Sequence, residues 1–118
     1  CAVPVRGKPM VDPISEVWRR SEMLETALKE CKSRGRAAAD AEQTYRVKLA
    51  EKILLLRENG LPATLIPDVA RGDRDVAKLK FERDCAQVVY DNAKEAVNVF
   101  KRQIDVLREQ IEREWKNP

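Results

Sequence analysis

From Val76 to Trp115 the side chains that face one way recur in alternating steps of three and four: Val76, Leu79, Arg83, Ala86, Tyr90, Ala93, Val97, Phe100, Ile104, Leu107 and Ile111, then Glu114 with Trp115 beside it. All but Arg83 and the last step are apolar. An alternation kept over this length belongs to a helix that presents one apolar stripe to a partner helix. No Pro or Gly falls within the stretch, so nothing breaks a rod of about 60 Å at ~1.5 Å per residue. A rod of that kind needs a neighbour, and the chain supplies one upstream.

Asp12-Pro13 reads as the start of that neighbour. An Asp at the N-cap accepts from free backbone N–H groups, and Pro at the first helical position loses no hydrogen bond. Glu16 adds negative charge at the positive end of the helix dipole. The stripe then runs through Ile14, Val17 with Trp18, Leu24, Leu28, Cys31, Gly35, Ala38, Ala41, Tyr45, Leu49, Ile53 and Leu56 to Asn59-Gly60. Gly60 is the expected left-handed stop. Gly35 and the run Ala37 to Ala39 thin the stripe at its middle, where the helix is expected to bend or loosen.

The connector from Gly60 to Asp73 is too apolar for a free linker. Thr64 is placed to cap a short helix that tolerates Pro67, accepts Asp68 and ends at Gly72. Leu61, Leu65, Ile66 and Val69 are then expected to fold over the top of the hairpin, with Asp73 capping the long helix that follows. The predicted fold is all-α: a long antiparallel two-helix coiled-coil hairpin with a short helical connector, assembling into a helical bundle. Its parts are a helix over 13–59, a connector over 60–73 and a helix over 74–116, in one domain spanning 12–118. Residues 1–11 read as a disordered leader or an expression remnant.

Symmetry about the connector sets the expected register. It places Leu56 near Val76, Leu49 near Arg83, Glu42 near Tyr90, Gly35 near Val97, Leu28 near Ile104, Leu24 near Leu107 and Trp18 near Trp115. Small residues, Gly35 and Ala38, then meet the larger Val97, Tyr90 and Phe100, which suits an interaxial distance of about 8–10 Å. Arg83 is the polar exception. Either its guanidinium snorkels to Glu51, Glu82 or another carboxylate, or it makes a register-setting polar contact.

Apolar residues also lie off the stripe. Val89, Ala96, Val99, Val106, Leu54 and Leu55 widen it as in a helix with more than one neighbour. The expected partner is therefore the chain itself, as a homodimer or larger bundle, with Trp18, Tyr90, Val99 and Trp115 as interaction residues. Aromatics make up only 5% of the chain, too few for a bulky sandwich or α/β core but enough for a thin helical seam. No apolar run reaches ~18 residues, so no membrane partner is expected.

Candidate chemistry is sparse. The chain has no His, no Gly-rich phosphate loop and no nucleophile elbow. Acidic pairs such as Glu22 with Glu25 and Glu109 with Glu112 lack the Glu-x-x-His companion of carboxylate metal bundles. No catalytic, cofactor-binding or metal-binding residue is assigned, and no enzyme is expected. Cys1, Cys31 and Cys85 form no C-x-x-C, which fits a reducing cytoplasm. Two basic clusters, Lys29, Lys32, Arg34 and Arg36, then Arg71, Arg74, Lys78 and Lys80, leave nucleic acid as the alternative partner. Against it, every aromatic has a seam or bundle position, and stacking wants exposed ones. Arg6 and Lys8 of the leader also supply two of the three surplus positive charges.

The segment LLLRENGLPATLIPDVARGDRDVAKLKFERDCAQVVYDNAKEAVNVFKRQIDVLREQIEREW, Leu54 to Trp115, resembles a group of small helical proteins of tailed bacteriophages and prophages. In these a helix ends at a Gly-x-Pro-Ala-Thr connector, and a long helix with a central Tyr finishes in Arg-Glu-Trp. The resemblance covers about half the chain and implies a phage-encoded accessory protein in the cytoplasm of a bacterial host; it brings no catalytic residues. Three readings stay open. One is an interaction protein that self-associates and docks another protein, as an inhibitor or adaptor of a bacterial protein such as a defence nuclease. Another is a nucleic-acid-associated factor in phage recombination or replication. The third is a structural virion or scaffold component.

Overall fold

The computed structural model describes residues 12–116; the expected leader, Cys1 included, lies outside the described residues. Three helices fill the span: α1, Pro13–Glu58; α2, Ile66–Gly72; and α3, Arg74–Lys116. No strand occurs among the described residues. The fold is the predicted all-α hairpin. It divides into two compact units, one made of the described residues up to Glu30 with those from Ala93 onward, the other of Cys31–Asn92. In each, a piece of α1 packs antiparallel on a piece of α3.

Local chemistry at the helix ends follows the sequence. The Asp12 carboxylate accepts from the Ile14 N–H at 3.2 Å and from the Ser15 hydroxyl at 3.1 Å, which satisfies donors that the first turn of α1 leaves open. At the other end, the Leu61 N–H donates to the Leu56 carbonyl and the Gly60 N–H to the Arg57 carbonyl, both at 3.1 Å. That pair of bonds is a Schellman motif, and Gly60 takes the left-handed conformation it needs, φ +82°. Asp73 receives the Asp75 and Val76 N–H groups, each at 3.2 Å, and starts α3.

The connector departs from expectation in two places. Leu65, and not Thr64, stands at the N-cap of α2, with no side-chain cap. The reason is a turn just before it: the Leu65 N–H donates to the Pro62 carbonyl at 2.9 Å, and Thr64 falls one residue too early to cap. Among the apolar connector residues, Ile66 and Ala70 are buried and Leu61 half-buried, whereas Leu65 and Val69 are exposed. A helix of seven residues can turn only one side inward, and the i, i+4 pair Ile66 and Ala70 occupies it.

In the unit Cys31–Asn92 the core is Ala38, Tyr45, Ile66, Ala70 and Val76. Its register differs from the symmetric one. Glu42 faces Arg83 and not Tyr90; Gly35 faces Tyr90 and not Val97. In this unit α1 meets α3 one heptad earlier than the pattern suggests. Near the connector, Lys52 Nζ lies 3.2 Å from Asp73 Oδ1. In the other unit Arg20 Nη1 donates to Gln103 Oε1 at 2.8 Å, so Trp18 is level with the turn near Asp105, not with Trp115. A stripe that repeats every seven residues stays apolar-on-apolar after a slip of seven. The tie is broken by features that do not repeat, above all the Gly35 recess and the Lys52–Asp73 pair.

Gly60→Ala places a Cβ in the left-handed region, with nothing within 4 Å to clash, so its cost is conformational. Denaturant melts should show a loss of about 1 kcal/mol, with Gly60→Asn losing less. Asp73 gives a pH test. The Val76 N–H and the Lys52 ammonium hold its carboxyl below the ordinary 3.8. Its contribution is therefore complete above that pH and is lost as pH falls through the lowered native value. The midpoint gap between the wild type and Asp73→Ala should be widest near neutrality and narrow on acidification below 3.8.

Candidate interaction surfaces

Arg83 sits within the seam of the unit Cys31–Asn92. Its guanidinium lies 4.7 Å from the centroid of the buried Tyr45 ring. Nη1 is 3.4 Å from Glu42 Oε1, and Nη2 is 2.9 Å from Asp84 Oδ1. The arginine stem covers an aromatic face while the charged head reaches carboxylates at the edge, which is snorkelling combined with a cation–π contact. The carboxylates are Glu42, which the heptad displacement brings level with Arg83, and Asp84, its neighbour in the chain, in place of Glu51 or Glu82. Glu42 also accepts from Arg46, and that bond is the first reason its carboxyl titrates below the ordinary carboxylate range, Arg83 adding to it. The cluster fastens α1 to α3 within this unit.

Tyr90, half-buried, lies against Gly35. A Cβ at Gly35 would be 3.0 Å from Tyr90 Cε1 and 3.1 Å from Cζ, closer than ordinary van der Waals contact. The glycine that looks like a weak point in α1 is the recess that receives a ring.

The unit of residues 12–30 with 93–116 is thinner. Val97 is its one buried residue among those described. Trp18 is 70% exposed and Trp115 85% exposed, so the two tryptophans do not cover one another as the symmetric register suggests. Val99 is half-buried in an open groove with Val106 and Leu107, walled by Arg20, Glu16 and Arg102. Arg20 Nε is 2.9 Å from Glu16 Oε1, and this bond leads the lowering of the Glu16 carboxyl. A second open groove runs between Met23, Ala27 and Glu30 of α1 and Ala93, Ala96 and Phe100 of α3.

In the unit Cys31–Asn92, Lys32 and Arg36 share one face of α1, and Arg34 lies about 160° around the helix from them at ~100° per residue. In the second group Lys80 is 3.2 Å from Asp84, on a different side of α3 from Arg74 and Lys78. Those two share a face with Phe81. Phe81 is 67% exposed, which takes it out of the α1–α3 seam. A second count by four and three, through Arg74, Lys78, Phe81, Cys85 and Val88, was available to find it.

Among the described residues no three His, Cys, Asp or Glu side chains converge as a metal site, no polar or charged residue is buried, and no helix is long and apolar enough to cross a membrane. Cys31 and Cys85 are free thiols. No family model matches the chain, and neither a curated protein nor a solved structure matches it.

The Gly35 recess yields a thermodynamic cycle. Ala in a helix interior outdoes Gly by about 1 kcal/mol. Gly35→Ala should fail to deliver that gain in the wild type and deliver it in a Tyr90→Ala background. Denaturant melts of the four proteins should give a coupling of about 0.5–1 kcal/mol.

Proposed function

We propose that this protein is a non-enzymatic accessory protein that works by self-association and by docking another protein through its helix faces. The observation that carries the reading is the poor cover of the unit of residues 12–30 with 93–116. Val97 is buried there, while Ile14, Trp18, Val106 and Trp115 stand exposed. A pair of helices this bare gains little from folding alone, and exposed aromatic and aliphatic side chains of that size favour a partner surface. A homodimer or larger bundle supplies it with the same chemistry on both sides.

Origin in a tailed phage or prophage, and action within a bacterial host cell, rest on the resemblance of Leu54 to Trp115. In that setting the docked protein is a bacterial or a phage one, a bacterial defence nuclease being the sub-case of an inhibitor or adaptor. A second reading, strand binding as a recombination or replication factor, draws support from the exposed Phe81 beside Lys78 and Arg74, a ring with cations along one helix face.

Light scattering at micromolar concentration should give a mass at least twice 13.5 kDa. Val99→Glu and Trp115→Ala should each lower it, with helix content unchanged by circular dichroism. A mass of 13.5 kDa at every concentration would defeat self-association and leave the Val99 and Val106 face for a different protein.

A further inference from the structure

The α3 stripe Arg74, Lys78, Phe81, Cys85 and Val88 follows steps of four, three, four and three on the side opposite Val76, Leu79 and Arg83. It has the form of a second helix-packing seam, and no part of it is covered: all five residues are exposed, Val88 at 58%. Neither Arg74 nor Lys78 has a carboxylate at ion-pair distance among the described residues, whereas Lys80 and Arg83 are paired. A helix that fits here carries apolar side chains at one end and carboxylates at the other, running antiparallel or parallel accordingly.

The chain contains such a helix face. Ile14 and Trp18 stand exposed at the start of α1, and Glu22 and Glu25 follow on the same side, both exposed. Laid antiparallel along the α3 stripe, Ile14 meets Val88, Trp18 meets Cys85, Glu22 meets Phe81 and Glu25 meets Lys78. The largest side chain falls on the smallest, which is how interdigitating layers fill space, and the carboxylate falls on an unpaired ammonium. The match ends at Lys29, which comes level with Arg74.

We infer that the outer face of α3 from Arg74 to Val88 docks the opening turns of α1 of a second copy, with Glu25 of that copy against Lys78. The inference rests on the self-association proposed above and adds a second contact to the one through Val99 and Trp115. The two surfaces differ, so the contact is heterologous: a pair keeps one face of each kind open, one on each copy, and copies add head to tail until a ring closes or a filament grows.

Charge inversion tests the contact. Glu25→Lys sets lysine against Lys78, and Lys78→Glu sets glutamate against Glu25. Each variant alone should associate roughly fivefold more weakly than the wild type by concentration-dependent light scattering. An equimolar mixture of the two should recover the wild-type mass, because every cross-contact then joins opposite charges. This recovery excludes misfolding as the cause of the losses. If both variants keep the wild-type mass while Val99→Glu lowers it, the docking site is wrong and self-association stands. If the wild type is monomeric throughout, both fail. Anisotropy of a labelled oligo-dT strand reads the other occupant of a basic, aromatic face. Strand binding abolished by Lys78→Glu and by Phe81→Ala, with the mass unchanged, overturns the inference.

Discussion

A helix packed against one neighbour has apolar cover along one narrow stripe, and the remainder of its circumference meets water or waits for a partner. In the unit Cys31–Asn92 that stripe is reinforced by the connector: Ile66 and Ala70 of α2 join Ala38, Tyr45 and Val76 in the core. The other unit has no third element, and Val97 is its buried residue among those described. Arg83 with Glu42 and Tyr45, Lys52 with Asp73, and Gly35 under the Tyr90 ring all lie in the better covered unit. They add shape and charge specificity to a hydrophobic contact that is too thin to be selective by itself.

The parts of this fold that can be read from the chain are those decided by a few adjacent residues. Asp12, Gly60 and Asp73 each end a helix through bonds to backbone groups within six positions of themselves, and cap chemistry at that range shows in any sequence. Thr64 misleads for the same reason in reverse, since a single turn bond from Leu65 to Pro62 moves the helix start by one residue. Register is another matter. The stripes of α1 and α3 match equally well in steps of seven, so hydrophobic pattern alone leaves a ladder of equivalent pairings. What chooses among them is the position of one glycine and a few charges, whose partners are distant in sequence.

The large side chains proposed for contacts are legible as residue types and not as neighbourhoods. Trp18 and Trp115 read correctly as large side chains near the ends of α1 and α3, but the displaced register keeps them from covering each other. Tyr90 reads as a seam aromatic; its place over Gly35 follows only from the true register. Phe81 escaped because the stronger count, through Val76, Leu79 and Arg83, masks a weaker one running along the opposite side of the same helix. The basic residues illustrate the same limit. Proximity in sequence gathers Arg74, Lys78 and Lys80, and the helical twist then separates Lys80 toward Asp84.

Arg83 carries a consequence for how the hairpin closes. Slipped pairings that keep every apolar step matched are the natural traps of a repetitive helix pair, compact and slow to leave. In the pairing displaced by one heptad, Arg83 would sit against Leu49, losing Glu42 and the Tyr45 ring while Asp84, its neighbour in the chain, stays within reach. That raises the energy of the trap and leaves the native pairing lower, a device that separates the correct basin from its nearest imitation. A leucine at that position would smooth the stripe and remove the contacts to Glu42 and the Tyr45 ring, so one charged residue on an otherwise apolar track distinguishes the native pairing from its nearest imitation.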